Sequence, residues 1–173
     1  MVTDDAWLDD EQLRAWVTLM AFLEVMPSSV EGQLKRDVGV NLFEYSVLAM
    51  LSEQVDRTLV MSDLAQVAFG SLSRLSHAVT RLERRGWVER RAGSGGRRHN
   101  TVWLTDAGLE AITDAAPLHV AHVRELLVAP LSAAELATLT SLLRRLIGAA
   151  NPALDERLDH LVPTIIERNL GST

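Results

Sequence analysis

From Ser62 to Thr105 the spacing of apolar residues switches from a helical to a strand-like period, and few folds accommodate that switch. Leu64, Ala65 and Val67 recur at helical steps behind Ser62. After a break at Phe69-Gly70-Ser71, Leu75, Ala78, Val79 and Leu82 do so again. Residues 87–91 and 100–104 then carry Trp, Val and Thr in the near alternation of half-buried strands, separated by Ala92-Gly93-Ser94-Gly95-Gly96. A short helix, a tight turn, a second helix and a hairpin make a helix-turn-helix followed by a wing. A plain helical hairpin accounts for the first half of this pattern and not for the second.

Arginine is concentrated in the same stretch. Between Ser71 and His99 stand Arg74, Arg81, Arg84, Arg85, Arg90, Arg91, Arg97 and Arg98 against Glu83 and Glu89 alone, a surplus of six positive charges. The chain as a whole carries −6, so the other residues hold a surplus of twelve negative charges. An acidic chain that gathers its cations on one module has the electrostatic footprint of a phosphate-backbone partner. A solvated face also carries such runs; the placement of this one on the second helix and the hairpin separates the two readings.

Around this module the chain reads as helical. Residues 9–26 predict a helix with Leu13, Trp16, Val17, Met20 and Leu23 as a core stripe and Asp9 or Asp10 as its cap. Pro27 is expected to kink or stop it, and Ser28 with Glu31, at capping-box spacing, predicts a restart to about Asp37. Gly39 ends that segment, and Asn41 begins a helix with Leu42, Tyr45, Leu48 and Leu51 along one stripe. Leu59-Val60-Met61 is a candidate edge strand. Ser62 is expected to cap the next helix and Gly70 to take the left-handed backbone at its end. Ser71 or Ser73 caps the helix that follows, which ends at Arg85-Gly86. Past the hairpin, Thr105 caps a long helix interrupted by Pro117, and Ser132 with Glu135 caps another, rich in leucine. Pro152 breaks the chain before a last helix over residues 153–169. The expected fold class is mainly α with a small β wing.

Chemistry other than binding finds little support. Cysteine is absent, which removes disulfides, thiolate catalysis, thiol-based peroxide sensing and Cys-ligated metals. There is no G-x-S-x-G, H-E-x-x-H or Walker loop, and Lys35 is the one lysine, so no catalytic residue and no cofactor are assigned. Gly93-Ser94-Gly95 begins a G-x-G, but Arg98 stands where a dinucleotide loop needs its third glycine. His119 and His122, three apart, have a metal-ligand spacing but no third histidine nearby, and no metal site is assigned. No apolar run is long enough to span a membrane, and the acidic N-terminus lacks a signal pattern, so a cytoplasmic protein is expected.

Four segments resemble the MarR family of bacterial regulators: Tyr45-Ser46-Val47-Leu48, Ser62-Asp63-Leu64-Ala65, the run from Val79 through Arg81-Leu82-Glu83 to Gly86-Trp87-Val88, and Leu104-Thr105-Asp106-Ala107-Gly108. The resemblance implies a homodimer whose terminal helices (residues 1–40 and 105–173) form a shared lobe. It also implies winged helix-turn-helix lobes (residues 41–104) that bind double-stranded DNA at a pseudo-palindromic operator. On the reader helix it points to Ser71, Ser73, Arg74, Ser76, His77, Thr80, Arg81 and Arg84 as DNA-binding residues, and on the wing to Arg97 and Arg98. It further implies repression relieved by a small aromatic or anionic effector held between lobes, with Trp16, Met20 and Tyr45 as the candidate pocket. Two departures from the family pattern stand out. His77 occupies a place usually basic, and Gly96 the place of the aspartate that steadies the wing arginines. They motivate the alternative of a winged-helix protein-interaction module that no longer binds DNA.

Overall fold

The computed structural model describes residues 7–92 and 100–171. In chain order the elements are α1 (Asp10–Asp37), α2 (Leu42–Ser52), β1 (Thr58–Val60), α3 (Met61–Val67), α4 (Leu72–Arg84), β2 (Val88–Ala92), β3 (Asn100–Leu104), α5 (Asp106–Val123), α6 (Ala133–Ala150) and α7 (Pro152–Gly171). The three strands form an antiparallel sheet in the order β1-β3-β2, with Leu59 opposite Val102 and Arg90 opposite Val102 on its other side.

Local chemistry explains most element boundaries. Asp9 caps α1 through a capping box, its carboxylate accepting from the Gln12 amide at 2.8 Å. Asn41 and Glu44 do the same for α2, and Ser132 and Glu135 for α6. Ser71 caps α4, accepting from the Arg74 amide at 3.2 Å. Thr105 has two tasks: its Oγ1 accepts from the Gly108 amide at 3.0 Å and donates to the Gly86 carbonyl at 2.7 Å. It thereby ties the start of α5 to the end of the reader helix.

The structure corrects the reading of the prolines and of one cap. Pro27 does not divide the first helix; α1 runs through it for 28 residues, so Ser28 and Glu31 lie mid-helix and not in a cap. Proline removes one ladder donor, and a long helix supported along α5 absorbs that loss. Pro117 likewise lies within α5, and the irregularity falls later, in a π-helical turn over Arg124–Val128. Pro152 starts α7, a position where the missing amide costs nothing. Ser62 does not cap α3. The extended end of β1 at Val60 enters that helix directly, and the Ser62 hydroxyl donates to Asp63 at 3.0 Å.

The core gathers Leu34, Val47, Leu48, Leu51, Leu64, Leu75, Ala78, Val79, Leu82, Val102 and Leu104, all 0–1% exposed. The helix-turn-helix stripe is therefore buried as expected. The stripe on α1 is not: Leu13, Trp16, Val17, Met20 and Leu23 are exposed, and α6 buries no residue. The expectation that the α1 stripe forms this chain's own core is overturned, because no other element among the described residues covers it; α6 packs on α7, which leaves Leu136, Leu139 and Leu143 half-buried.

The turn between α3 and α4 differs from expectation in an instructive way. The left-handed residue is Phe69, at φ 54°, and not Gly70. The Gly70 amide bonds to the Ala65 carbonyl at 2.9 Å and the Phe69 amide to Gln66 at 3.2 Å, the paired bonds of a Schellman motif with Phe where glycine is usual. Gly70 is needed for space: a Cβ there would sit 2.4 Å from the Phe43 ring. Gly70→Ala should therefore destabilise by about 1–3 kcal/mol, as overpacking does. Phe69→Gly, which relieves the left-handed strain, should hold or raise stability by up to about 1 kcal/mol. Urea unfolding of both variants checks the assignment, and the opposite order of midpoints would refute it.

Candidate nucleic-acid interface

Burial of Leu75, Ala78, Val79 and Leu82 against α2, α3 and the sheet determines which side of α4 faces out. Ser73, Arg74, Ser76, His77, Arg81 and Arg84 are exposed, as is Ser71 at the cap; Thr80 is half-buried. Ser73, Ser76 and His77 share one face of the first two turns, where a reader helix meets base edges. Arg97, Arg98 and Gly96 lie outside the described residues.

Several of the arginines have internal work. Arg81 pairs through Nε with Glu44, a carboxylate only 6% exposed that also accepts from the Asn41 amide at 3.0 Å. Arg74 lies over the Phe43 ring at 4.3 Å, Arg91 over Trp103 at 3.7 Å, and Arg85 over Trp87 at 4.9 Å. Arg85 also donates to the Val38 and Gly39 carbonyls, at 3.3 and 2.6 Å, closing the end of α1.

Arg90 is the residue that sequence reasoning counts as charge and does not place. From β2 its guanidinium pairs with Glu83 and donates to the Ser76 carbonyl at 2.9 Å and Thr80 Oγ1 at 3.0 Å. The Arg90 amide adds a bond to Glu83 at 3.0 Å. The wing strand is thus clamped along the flank of the reader helix over about two turns, from Ser76 to Glu83. The Thr80 hydroxyl, which also donates to the Ser76 carbonyl at 2.9 Å, is engaged in this clamp. A signal is present in the sequence, since Glu83 is one of only two acids among the eight arginines.

A sequence profile of the MarR family matches residues 38–99. The HTH-type transcriptional regulator MhqR of Bacillus subtilis is 30% identical over 108 residues, covering 62% of this chain and 72% of MhqR. The crystal structure of Sco3205, a MarR family transcriptional regulator from Streptomyces coelicolor solved in complex with DNA, superposes with a TM-score of 0.81 at 33% identity. That match covers 85% of this chain and 92% of Sco3205. AbsC, another MarR family regulator of that organism, gives 0.79 at 33% identity over 84% of this chain and 98% of its own. The chain belongs to the MarR family. It is a DNA-binding transcriptional regulator of the winged-helix type.

For a MarR-family effector pocket the candidate trio does not assemble. Trp16 and Met20 are 53% and 45% exposed on the N-terminal half of α1. Tyr45 is half-buried and packs against His119 with the rings tilted by 49°, their centroids 4.4 Å apart. His119 in turn meets Gln33, seventeen residues and roughly 25 Å of helix beyond Trp16. The three residues line no shared cavity among the described residues.

Tyr45 belongs instead to a polar seam between α1, α2 and α5. Gln33 Nε2 donates to Asp37 at 2.8 Å, so its Oε1 is the acceptor for His119 Nδ1–H at 3.3 Å; His122 Nε2 meets the Ser29 hydroxyl at 3.2 Å. Burial raises the tyrosine pKa. It lowers that of His119, with repulsion from His122 adding to the effect. Among the described residues no cluster of three or more metal-binding side chains occurs, this histidine pair included.

The clamp and the seam each fix the sign of a measurable effect. A pure charge argument expects Glu83→Gln to tighten DNA binding by removing an anion. The clamp expects it to loosen the wing and weaken binding, by about 1 kcal/mol, as Arg90→Gln should. Fluorescence anisotropy on labelled duplex distinguishes the signs. The His119 pKa is lower folded than unfolded, so the unfolded state binds more protons below the ordinary value of 6.5 and stability falls as pH drops through it. Thermal melts between pH 7.5 and 5.5 should show a falling midpoint, less steep in His119→Gln.

Proposed function

We propose that this MarR-family regulator acts as a two-fold dimer that binds a pseudo-palindromic operator, represses transcription and is released by a small organic effector. The observation that carries the dimer is the apolar surface exposed along the terminal helices: Trp16, Val17, Met20 and Leu23 on α1, Leu142 and Leu146 on α6, and Val162 on α7. Patches of this extent are covered in solution by another surface. A two-fold copy of the same helices offers a self-complementary cover. In this reading residues 1–40 and 105–173 form the dimer lobe and residues 41–104 the reader lobe, with reader helices about 34 Å apart, one turn of DNA. Trp16 and Met20 then belong to the dimer seam, not to an effector pocket.

Within the interface, Ser73, Ser76 and His77 read base edges, while Arg74, Arg84, Arg97 and Arg98 position the protein on phosphate. The DNA complex of Sco3205, a third identical in sequence to this chain, supports the assignment. A regulator with no single helix, among the described residues, long and apolar enough to cross a membrane acts where the chromosome is, in the cytoplasm.

Light scattering at micromolar concentration should give twice the chain mass, and a monomer would remove the dimer. Against DNA upstream of its own gene, His77→Ala should cost about 1–3 kcal/mol on operator and almost nothing on random duplex. Arg97→Ala or Arg98→Ala should weaken both alike and reduce the salt slope by about one for each phosphate no longer neutralised. No shift on either DNA would favour the interaction-module alternative.

A further inference from the structure

Three cations meet at the corner where α1 gives way to α2. Lys35, Arg81 and Arg85 line a recess of about 210 Å³ in which Glu44 is the carboxylate among the described lining residues, three positive charges against one negative. Asp37, close by in sequence, is held by Gln33, which also meets His119 of α5, and it is not part of the wall.

Each cation is held by a different means. Arg85 donates to the Val38 and Gly39 carbonyls at 3.3 and 2.6 Å, and its guanidinium carbon lies 4.9 Å from the centre of the Trp87 ring. Gly39 permits this approach: its backbone is left-handed at φ 76°, and a Cβ there would stand 3.3 Å from Arg85 Nη2. Carbonyls and a ring orient the guanidinium without cancelling its charge. Glu44 engages Arg81 through Nε, one of the five N–H donors of a guanidinium. Lys35 reaches Glu31 at 2.6 Å, but the two side chains are 60% and 41% exposed, and such a pair is weak and screened by salt.

The recess borders the reader face. Contacts from the corner run along one flank of α4: Phe43 with Arg74, Glu44 with Arg81, Val38 and Gly39 with Arg85. The other flank is Ser76, Thr80 and Glu83, taken by Arg90 of the wing strand. Ser73 and His77 are left exposed between them. A helix with its side chains is about 10–12 Å across and the major groove about 12 Å wide, so a helix seated there brings a phosphate strand against each flank. The wing borders one strand and the α1–α2 corner borders the other.

We infer that this corner is a phosphate seat, in which Lys35, Arg81 and Arg85 hold one backbone phosphate of the DNA strand on the side of the reader helix away from the wing. The inference rests on α4 as the reader and adds Lys35 and Arg85, neither of them assigned to DNA above. Volume decides between the sources of phosphate. At about 210 Å³ the recess is smaller than the ~300 Å³ at which small-molecule sites begin, so it suits one group of a polymer and not a whole phosphorylated metabolite. Arg85 is already oriented, so seating the phosphate orders little beyond the Lys35 side chain. The contact carries no sequence information; it fixes the rotation of the helix in the groove from the side that the wing does not hold. Cations in the last turn of α1 also serve its helix dipole, a structural role that affects stability and not the salt dependence of DNA binding.

Fluorescence anisotropy on a random-sequence duplex between about 50 and 200 mM salt tests the seat, since a backbone contact needs no operator. Lys35→Gln should weaken binding at low salt by about threefold and reduce the salt slope by about one, and Lys35→Arg should restore both. Glu31→Gln, which frees Lys35, should tighten binding. Arg145→Gln removes the same charge from the exposed surface of α6 and should leave affinity nearly unchanged. A loss there equal to that of Lys35→Gln means that net charge alone counts, and overturns the seat. Arg85→Lys keeps the cation and should keep the slope, whereas Arg85→Gln should reduce it by about one. A lower melting midpoint in Arg85→Gln with the wild-type slope makes Arg85 a tether of α1 and removes it from the seat. Calorimetry of the DNA-free chain with inorganic phosphate is the second arm. Binding no tighter than millimolar is expected; submillimolar binding that Lys35→Gln abolishes assigns the recess to a free anion and overturns the backbone reading. A wild type that binds no duplex overturns the reader assignment itself. A wild type that binds, matched by Lys35→Gln in affinity and slope, overturns the seat alone.

Discussion

The reader helix is held in place by a buried carboxylate. Glu44 is 6% exposed, and a charge so placed must be paired and hydrogen-bonded or it destabilises the fold. Its own N-terminal amide partner at Asn41 and the guanidinium of Arg81 meet that requirement together. Because one oxygen serves the start of α2 and the other the last turn of α4, the two helices cannot rotate independently. The orientation of Ser73, Ser76 and His77 toward solvent follows from that lock and from the buried leucines on the opposite face. Arg90 repeats the device on the other side, so the wing strand and the helix move as one body.

Much of this is legible in the sequence. The helical periods around Leu75 and Leu82, the strand alternation, the caps at Asn41, Ser71, Thr105 and Ser132, and the family motifs all lead to the observed fold. The failures share a cause, which is that local preference is all a sequence displays where tertiary support decides. Pro27 and Pro117 each cost one ladder bond, and helices supported along their length carry that cost. At the turn, glycine is the residue that adopts the left-handed backbone most readily. Here the shortage is of space, and the Phe43 ring claims Gly70 while Phe69 takes the strain. No one-dimensional pattern reports that an aromatic ring nearly thirty residues away will lie against a particular Cα.

The same limit applies to the site. Periodicity correctly separates the outward residues of α4 from its core stripe, but it cannot tell which arginines are spoken for. Thr80 and Arg81 are outward by spacing and engaged by contact, with Arg90 and Glu44 respectively. Trp16, Met20 and Tyr45 separate in space, because an uninterrupted α1 carries Trp16 far from the α1–α5 seam.

Partner chemistry also changes what the arginine cluster means. An arginine paired with a carboxylate adds little to the field at a distance, whereas one held by carbonyls or an aromatic face keeps its full charge. By that distinction Arg81, Arg90 and Arg91 are largely offset by Glu44, Glu83 and Glu89, while Arg74 and Arg85 project theirs, as does the exposed Arg84. Among the described residues the unpaired arginines therefore lie along the exposed edge of α4, next to Ser73, Ser76 and His77. The twelve surplus negative charges lie outside that stretch. A polyanion approaching within about a Debye length, ~8 Å at physiological salt, is repelled by one part of the molecule and attracted by the other. The charge asymmetry orients the encounter before any base is read, and the internal ion pairs sharpen it by confining positive potential to the face that docks.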